Sequence, residues 1–145
     1  MSVLCQELPI SISVKIKSMK DNKLIIKIKK SSEEVFAYYT NPNNTPLWWD
    51  AVAKEETSEW PRKLGTIYRS LSKNGGWNEF TVTDFKKNKI FELTSKDGKY
   101  HVRYTHTPKN ENSMELEYYE WVDENELDDP FTMEILKKLK EAIEG

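Results

Sequence analysis

Hydrophobic and polar positions change period several times along the chain, and each change marks an element. Ile10, Ile12, Val14 and Ile16 alternate with serine and lysine, Lys20-Asp21-Asn22-Lys23 reads as a turn, and Leu24, Ile26 and Ile28 alternate with Lys27 and Lys29. Period-two alternation predicts two half-buried strands. Ser31-x-x-Glu34 has the spacing of a capping box ahead of Val35, Phe36 and Tyr39, and Asn41-Pro42 closes a short helix. Thr45 as N-cap and Pro46 at the first helical position start a second one through Leu47-Trp48-Trp49-Asp50. From Ala51 to Val122 short alternating runs are separated by turn signals, first at Trp60-Pro61-Arg62-Lys63-Leu64-Gly65 and then at Asn74-Gly75, Lys86 to Lys89, Asp97-Gly98 and Lys109 to Asn112. That is the signature of an antiparallel meander. Asp129 as N-cap and Pro130 open a last amphipathic helix of about fourteen residues, roughly 21 Å long. Phe131, Ile135, Leu139 and Ile143 form its stripe, flanked by Met133 and Leu136.

Turns fix register, so the strands test one another. A two-residue turn at Asp97-Gly98 pairs Ser95 with Tyr100, Leu93 with Val102 and Phe91 with Tyr104. A four-residue loop at Lys86 to Lys89 pairs Phe85 with Ile90, Val82 with Leu93 and Phe80 with Ser95. Asn74-Gly75 as a two-residue turn pairs Arg69 with Phe80 and Ile67 with Val82, and a loop centred on Asn110 pairs Tyr104 with Leu116, Val102 with Tyr118 and Tyr100 with Glu120. One face then carries Ile67, Val82, Leu93, Val102 and Tyr118 in one row and Phe91, Tyr104 and Leu116 in another. The opposite face is polar, as a solvated sheet surface should be. Phe85, Ile90, Tyr119 and Trp121 break that outer pattern.

Composition changes the picture little. Hydrophobic residues make up 37% and charged residues 32% of 145 residues, with five tryptophans, seven tyrosines and five phenylalanines, enough for one folded domain. A net charge of −2 speaks against a nucleic-acid or anionic-membrane binder. Cys5 is the single cysteine, so a disulfide framework and a thiolate metal site are excluded from the chain alone, and a reducing, cytoplasmic setting is expected. Neither a signal peptide nor a membrane-spanning stretch is read. Charge is uneven: residues 1–30 carry seven lysines and residues 110–136 ten acids with no Lys or Arg. Either a basic tail meets acidic partners or the two segments pair within the molecule.

The order β-α-α-β6-α, with I-K-I-K-K-S-S-E-E-V-F-A-Y-Y-T-N-P-N-N-T-P-L-W-W over Ile26 to Trp49 and the later G-T-I-Y-R and F-T-V-T-D-F-K-K-N-K-I-F-E-L, resembles the SRPBCC superfamily. That group includes START domains, the birch-pollen allergen, polyketide cyclases and heat-shock-protein activator homologues. The resemblance covers about Leu24 to Glu144 of a single domain, 1–145, and leaves 1–22 as an N-terminal extension with an extra strand. It implies an α+β helix-grip: a curved antiparallel sheet of about seven strands wrapped on the long C-terminal helix, with two short helices after the first core strand. It also implies a cavity for a small hydrophobic molecule or lipid, without a cofactor, and places the first strand beside the last. Outward Lys27 and Lys29 would then face Glu115 and Glu117, which favours internal charge pairing.

In the resembling folds the cavity opens at the end of the sheet that holds Asn74-Gly75 and Asp97-Gly98. The pairings put Arg69, Phe80, Ser95, Tyr100 and Glu120 in an inner row there, with Asn78 nearer the rim. An inward arginine and glutamate are costly unless paired, hydrated or used on a ligand. Candidate ligand-contacting residues are therefore Trp48, Arg69, Phe80, Val82, Phe91, Leu93, Tyr100, Val102, Tyr104, Leu116, Tyr118, Glu120, Met133 and Leu136. Trp49, Trp77 and Trp121 are further aromatics for a pocket or a core. His106 also faces inwards, but its register separates it from Glu120 by about 20 Å, so no acid-base dyad forms. His101 lies on the opposite face and no metal pair results. Lys73-Asn74-Gly75-Gly76 is a hairpin and no catalytic triad is present. Three functions stay open: a binding or carrier protein for a small hydrophobic molecule, oriented by Arg69, Tyr100 and Glu120; a polyketide cyclase or dehydratase-like enzyme using Tyr104, Arg69 or Glu120; and a protein-interaction module using an exposed aromatic patch and the acidic stretch Glu111 to Asp129.

Overall fold

The structure is a computed structural model that describes residues 19–145. The strand expected over Ile10 to Ile16 lies outside the described residues. The elements are β1 (Asp21–Ile28), α1 (Ser32–Thr40), α2 (Thr45–Trp48), β2 (Val52–Thr57), β3 (Ile67–Ser72), β4 (Trp77–Lys86), β5 (Ile90–Ser95), β6 (Tyr100–Asn110), β7 (Ser113–Val122) and α3 (Met133–Glu144). All seven strands form one antiparallel sheet in the order β1-β7-β6-β5-β4-β3-β2, curled around α3 in a helix-grip.

Most element boundaries follow local chemistry. The Ser31 hydroxyl accepts the Glu34 N–H at 3.1 Å and the Glu34 carboxylate accepts the Ser31 N–H at 3.3 Å, the expected capping box of α1. Three boundaries differ from the sequence reading. Asn22 and Lys23 continue β1 instead of turning, because β7 runs far enough to pair them with Glu120 and Tyr119. Asn44, not Thr45, precedes α2, since the Thr45 hydroxyl donates to Glu55 at 2.5 Å. The last helix starts at Met133 with Thr132 as its cap, three residues beyond the Asp129 expected, and Phe131 stays in the loop as a buried anchor.

Register decides which side chains see the interior. The pairs of β5 with β6 are those the Asp97-Gly98 turn requires. Between β4 and β5, Phe80 meets Ser95 and Val82 meets Leu93 as expected, but a bulge at Thr83 follows and Phe85 pairs with Phe91. That extra residue turns Phe85 inwards, where its ring lies 5.6 Å from Phe36, and so accounts for one of the misfits. Tyr119 and Trp121 remain outside and form a ladder: Tyr119 stacks on Trp121 at 5.1 Å, Trp121 on His101 at 4.8 Å, and Arg103 lies 5.3 Å over Trp121.

The hairpin between β3 and β4 corrects the sequence reading. Ser72 N–H bonds to Gly76 C=O at 2.8 Å and Gly75 sits at φ +99°, so the loop is Lys73–Gly75, three residues and not two. One residue of slip exchanges the faces of a strand. Tyr68 therefore points inwards, 2% exposed, with its hydroxyl donating to Thr40 C=O at 2.5 Å. Arg69 points outwards, 4.5 Å over the Trp77 ring and 3.5 Å from the Glu56 carboxylate, and Ile67 also leaves the inner row. The β6–β7 register is slid by two residues, through a tight Glu111-Asn112 turn and a bulge at Lys109, pairing Tyr104 with Tyr118 and Val102 with Glu120. An even slip keeps every face.

Candidate functional site

The site is built where β1, β6 and β7 meet the loop that leads into α3. Alternation along β7 sends Leu116, Tyr118 and Glu120 inwards, and Glu120 stands opposite Asn22 of β1. The Glu120 carboxylate is 1% exposed. One oxygen accepts the Phe131 N–H at 2.7 Å and the Asn22 amide at 2.9 Å; the other accepts the Tyr100 hydroxyl at 2.5 Å. Asn22 also donates to Phe131 C=O at 2.9 Å. Both backbone groups of Phe131 are thus held by one cross-strand pair, which latches the loop onto the sheet. A carboxylate can accept about four hydrogen bonds, so one acceptor position of Glu120 remains.

Beside this latch lies a cavity of about 100 Å³ lined by Trp49, Tyr100, Tyr118, Glu120, Asp129, Pro130, Phe131, Thr132 and Ile135. Phe131 stacks on Tyr118 at 3.8 Å and meets Trp49 edge-to-face at 5.0 Å, so mutually packed aromatic rings stand in the wall. The Tyr118 hydroxyl, on a residue with 0% exposure, lies near the Tyr100 side chain but makes no hydrogen bond of good geometry. Burial, and then Tyr100 and Tyr104, push its ionisation well above the usual tyrosine range. Tyr100 is raised as well, by burial first and by Glu120 next. Both phenols are therefore neutral groups at ordinary pH, able to donate or accept but not to act as phenolate bases. The cavity is smaller than one of about 150 Å³ that accepts benzene, and it has room for about three waters.

Elsewhere the described interior is packed with apolar and aromatic side chains. Val35, Phe36, Leu116, Leu136 and Leu139 have 0% exposure, and the rings of Phe36, Tyr39, Tyr68, Phe85, Phe91 and Tyr104 pack edge-on or stacked against one another. Of the fourteen candidate residues, Tyr100, Tyr118 and Glu120 line the cavity. Trp48, Val82, Phe91, Val102, Tyr104, Leu116 and Leu136 are buried core, and Phe80, Leu93 and Met133 pack half-buried against it. Arg69 is on the far face and does not join Glu120. Trp49, Asp129, Phe131 and Ile135 belong to the wall and Asn22 to the latch, a set drawn from a loop and a strand end whose signals in sequence were those of a turn and a helix cap.

Sequence reasoning also missed Glu55, which faces inwards from β2 and accepts the Thr45 and Ser70 hydroxyls at 2.5 and 2.7 Å. Burial raises its pKa above the ordinary carboxylate value. His106 is 6% exposed, with Nε2 2.8 Å from the Tyr39 hydroxyl and Nδ1 unpartnered, and burial lowers its pKa to about 4. Glu120 stands opposite Val102, four positions along β6 from His106, or about 13 Å, so the two form no dyad. Lys27 stands opposite Glu115 as expected, but Ile25 and not Lys29 faces Glu117; acids of the stretch from Glu111 to Asp129 meet Lys109, Lys99 and His101 within the molecule. Among the described residues no group of three metal-ligating side chains occurs, and no helix is long and apolar enough to cross a membrane.

No protein-family model and no curated protein matches the chain. Solved structures do. A START superfamily protein from Mycobacterium smegmatis superposes with a TM-score of 0.68 at 14% identity, covering 86% of this chain and 97% of that one. Truncated norcoclaurine synthase from Thalictrum flavum gives 0.64 at 14% identity, covering 86% and 90%. A conserved protein of unknown function from Enterococcus faecalis gives 0.69 at 15% identity, covering 90% and 79%. The chain therefore shares the helix-grip fold of these structures.

Proposed function

We propose that this chain is a small-molecule binding protein whose ligand occupies the cavity between Glu120 and the start of α3. The observation that carries the reading is the cavity of about 100 Å³ that Tyr100, Tyr118 and Glu120 line, with the buried Tyr118 hydroxyl making no well-formed hydrogen bond. Leaving such a group unpaired costs about 1–3 kcal/mol, which a hydrogen-bonding ligand recovers on binding. The size of the cavity favours a compact molecule, and the filled aromatic core favours it over a lipid chain, since drug-sized pockets run to about 300–1,000 Å³. A cyclase-like reaction through an Arg69–Glu120 pair is not available, because Arg69 points outwards while Glu120 is buried.

The test is a nuclear magnetic resonance screen of the full chain against cationic, neutral and anionic fragments of about four to eight heavy atoms. Binding that shifts the Phe131 and Glu120 amides, and is lost when Ile135→Trp fills the cavity, is the expected outcome. No perturbation at those amides by any fragment class overturns the reading.

A further inference from the structure

Resting on that reading of the cavity, we infer that its ligand is a small organic cation, a protonated amine. Two carboxylates, Glu120 and Asp129, line the cavity, and none of its lining residues is Lys, Arg or His. Two cations flanking the lining residues in sequence are paired elsewhere, Lys99 with Glu124 at 3.6 Å and Lys138 with Asp50. Among the described residues Glu120 has no ion-pair partner, and its three donors, an amide side chain, a backbone N–H and a phenol, are all neutral.

The walls select the same chemistry. Trp49, Tyr100, Tyr118 and Phe131 supply aromatic rings to the lining, and such rings attract cations. An anion would find the positive end of α3 nearby, but that end is already answered. The Thr132 hydroxyl accepts the Ile135 N–H at 3.3 Å and Glu120 takes the Phe131 N–H just before the helix. A hydrated metal ion is a poor occupant, because the described residues bring no third ligating side chain to the two carboxylates. In a protonated amine, one N–H donates to the remaining acceptor position of Glu120, a second to the lone pair of the Tyr118 hydroxyl, and a small alkyl body lies against Phe131 and Ile135.

Three probes of similar size separate charge from shape: isopropylammonium chloride, isopropanol and sodium acetate, each titrated into the full chain while the Phe131 and Glu120 amides are followed. The expected result is that isopropylammonium binds at least about tenfold more tightly than isopropanol and that acetate does not bind. Asp129→Asn, an exposed position that leaves the latch intact, lowers that preference by about threefold, and Glu120→Gln abolishes it in whatever fraction stays folded. Equal or tighter binding of isopropanol or acetate at the same amides overturns the cation assignment and leaves the binding site standing. Silence of those amides to all three probes overturns both.

Discussion

Four buried side-chain polar atoms among the described residues lack partners, Ser32 Oγ, Trp48 Nε1, His106 Nδ1 and Tyr118 Oη, and the last two burden the fold differently. Tyr118→Phe removes an unsatisfied hydroxyl and keeps the ring on Phe131. It is expected to leave stability unchanged or to raise it by up to about 1 kcal/mol in urea unfolding, while weakening the ligand. Tyr100→Phe takes a donor from the buried Glu120 carboxylate and should cost about 1–3 kcal/mol in the same measurement. His106 acts through pH. Its pKa falls from an ordinary 6.5 to about 4 because burial disfavours the imidazolium, so between those values the unfolded chain binds more protons than the folded one. Stability is complete above pH 6.5 and declines as pH falls towards 4, by about 3 kcal/mol in all. His106→Phe should flatten that decline in denaturation midpoints taken from pH 7 to pH 4. An unchanged slope would show that His106 is not its source. Glu55, whose pKa burial raises, works in the opposite sense as pH rises and does not contribute to the acid decline.

At the scale of elements the latch is the point of control. Asn22 joins β1, β7 and the loop before α3 through two hydrogen bonds of 2.9 Å, so Asn22→Ala leaves Phe131 C=O without a side-chain donor and Glu120 short of one. The expected cost is about 1–3 kcal/mol, with faster hydrogen exchange at Phe131 than in the wild type; protection equal to wild type would mean that the loop is held by ring packing alone. This latch was partly legible in the sequence. Alternation placed Tyr118 and Glu120 inside correctly, and a slip of two between β6 and β7 did not disturb those faces. The slip of one at Lys73–Gly75 did, sending Arg69 out and Tyr68 in, because Asn-Gly fits a two-residue turn and the last two positions of a three-residue turn equally well. The bulge at Thr83 carried no glycine to announce it. Phe131 read as the first turn of a helix because Asp129-Pro130 is a good helix start, and only the tertiary bonds from Glu120 and Asn22 hold it out of α3.

For the molecule as a whole, the question is why a fold that can enclose a cavity encloses so little here. The aromatic side chains supply the answer: Phe91 alone meets Phe36, Tyr39, Tyr68, Phe85 and Tyr104 at ring separations of 5.6 to 6.4 Å. These rings occupy the volume that a larger ligand would need. Phe91→Ala should therefore cost about 3–5 kcal/mol, and because neighbouring rings relax only in part, it should leave an apolar void of about the size of the ring removed. Such a void takes up benzene, whereas the smaller end cavity, with its two carboxylates, should not. Benzene at about ten times its dissociation constant should then add about 1.4 kcal/mol to the variant, a rise of a few degrees in Tm for a chain of this length, and leave the wild type unmoved. Stabilisation of the wild type by benzene would mean that its interior yields apolar space in solution, and a hydrophobic ligand among the core rings would then displace the compact cation as the better account of what this helix-grip holds.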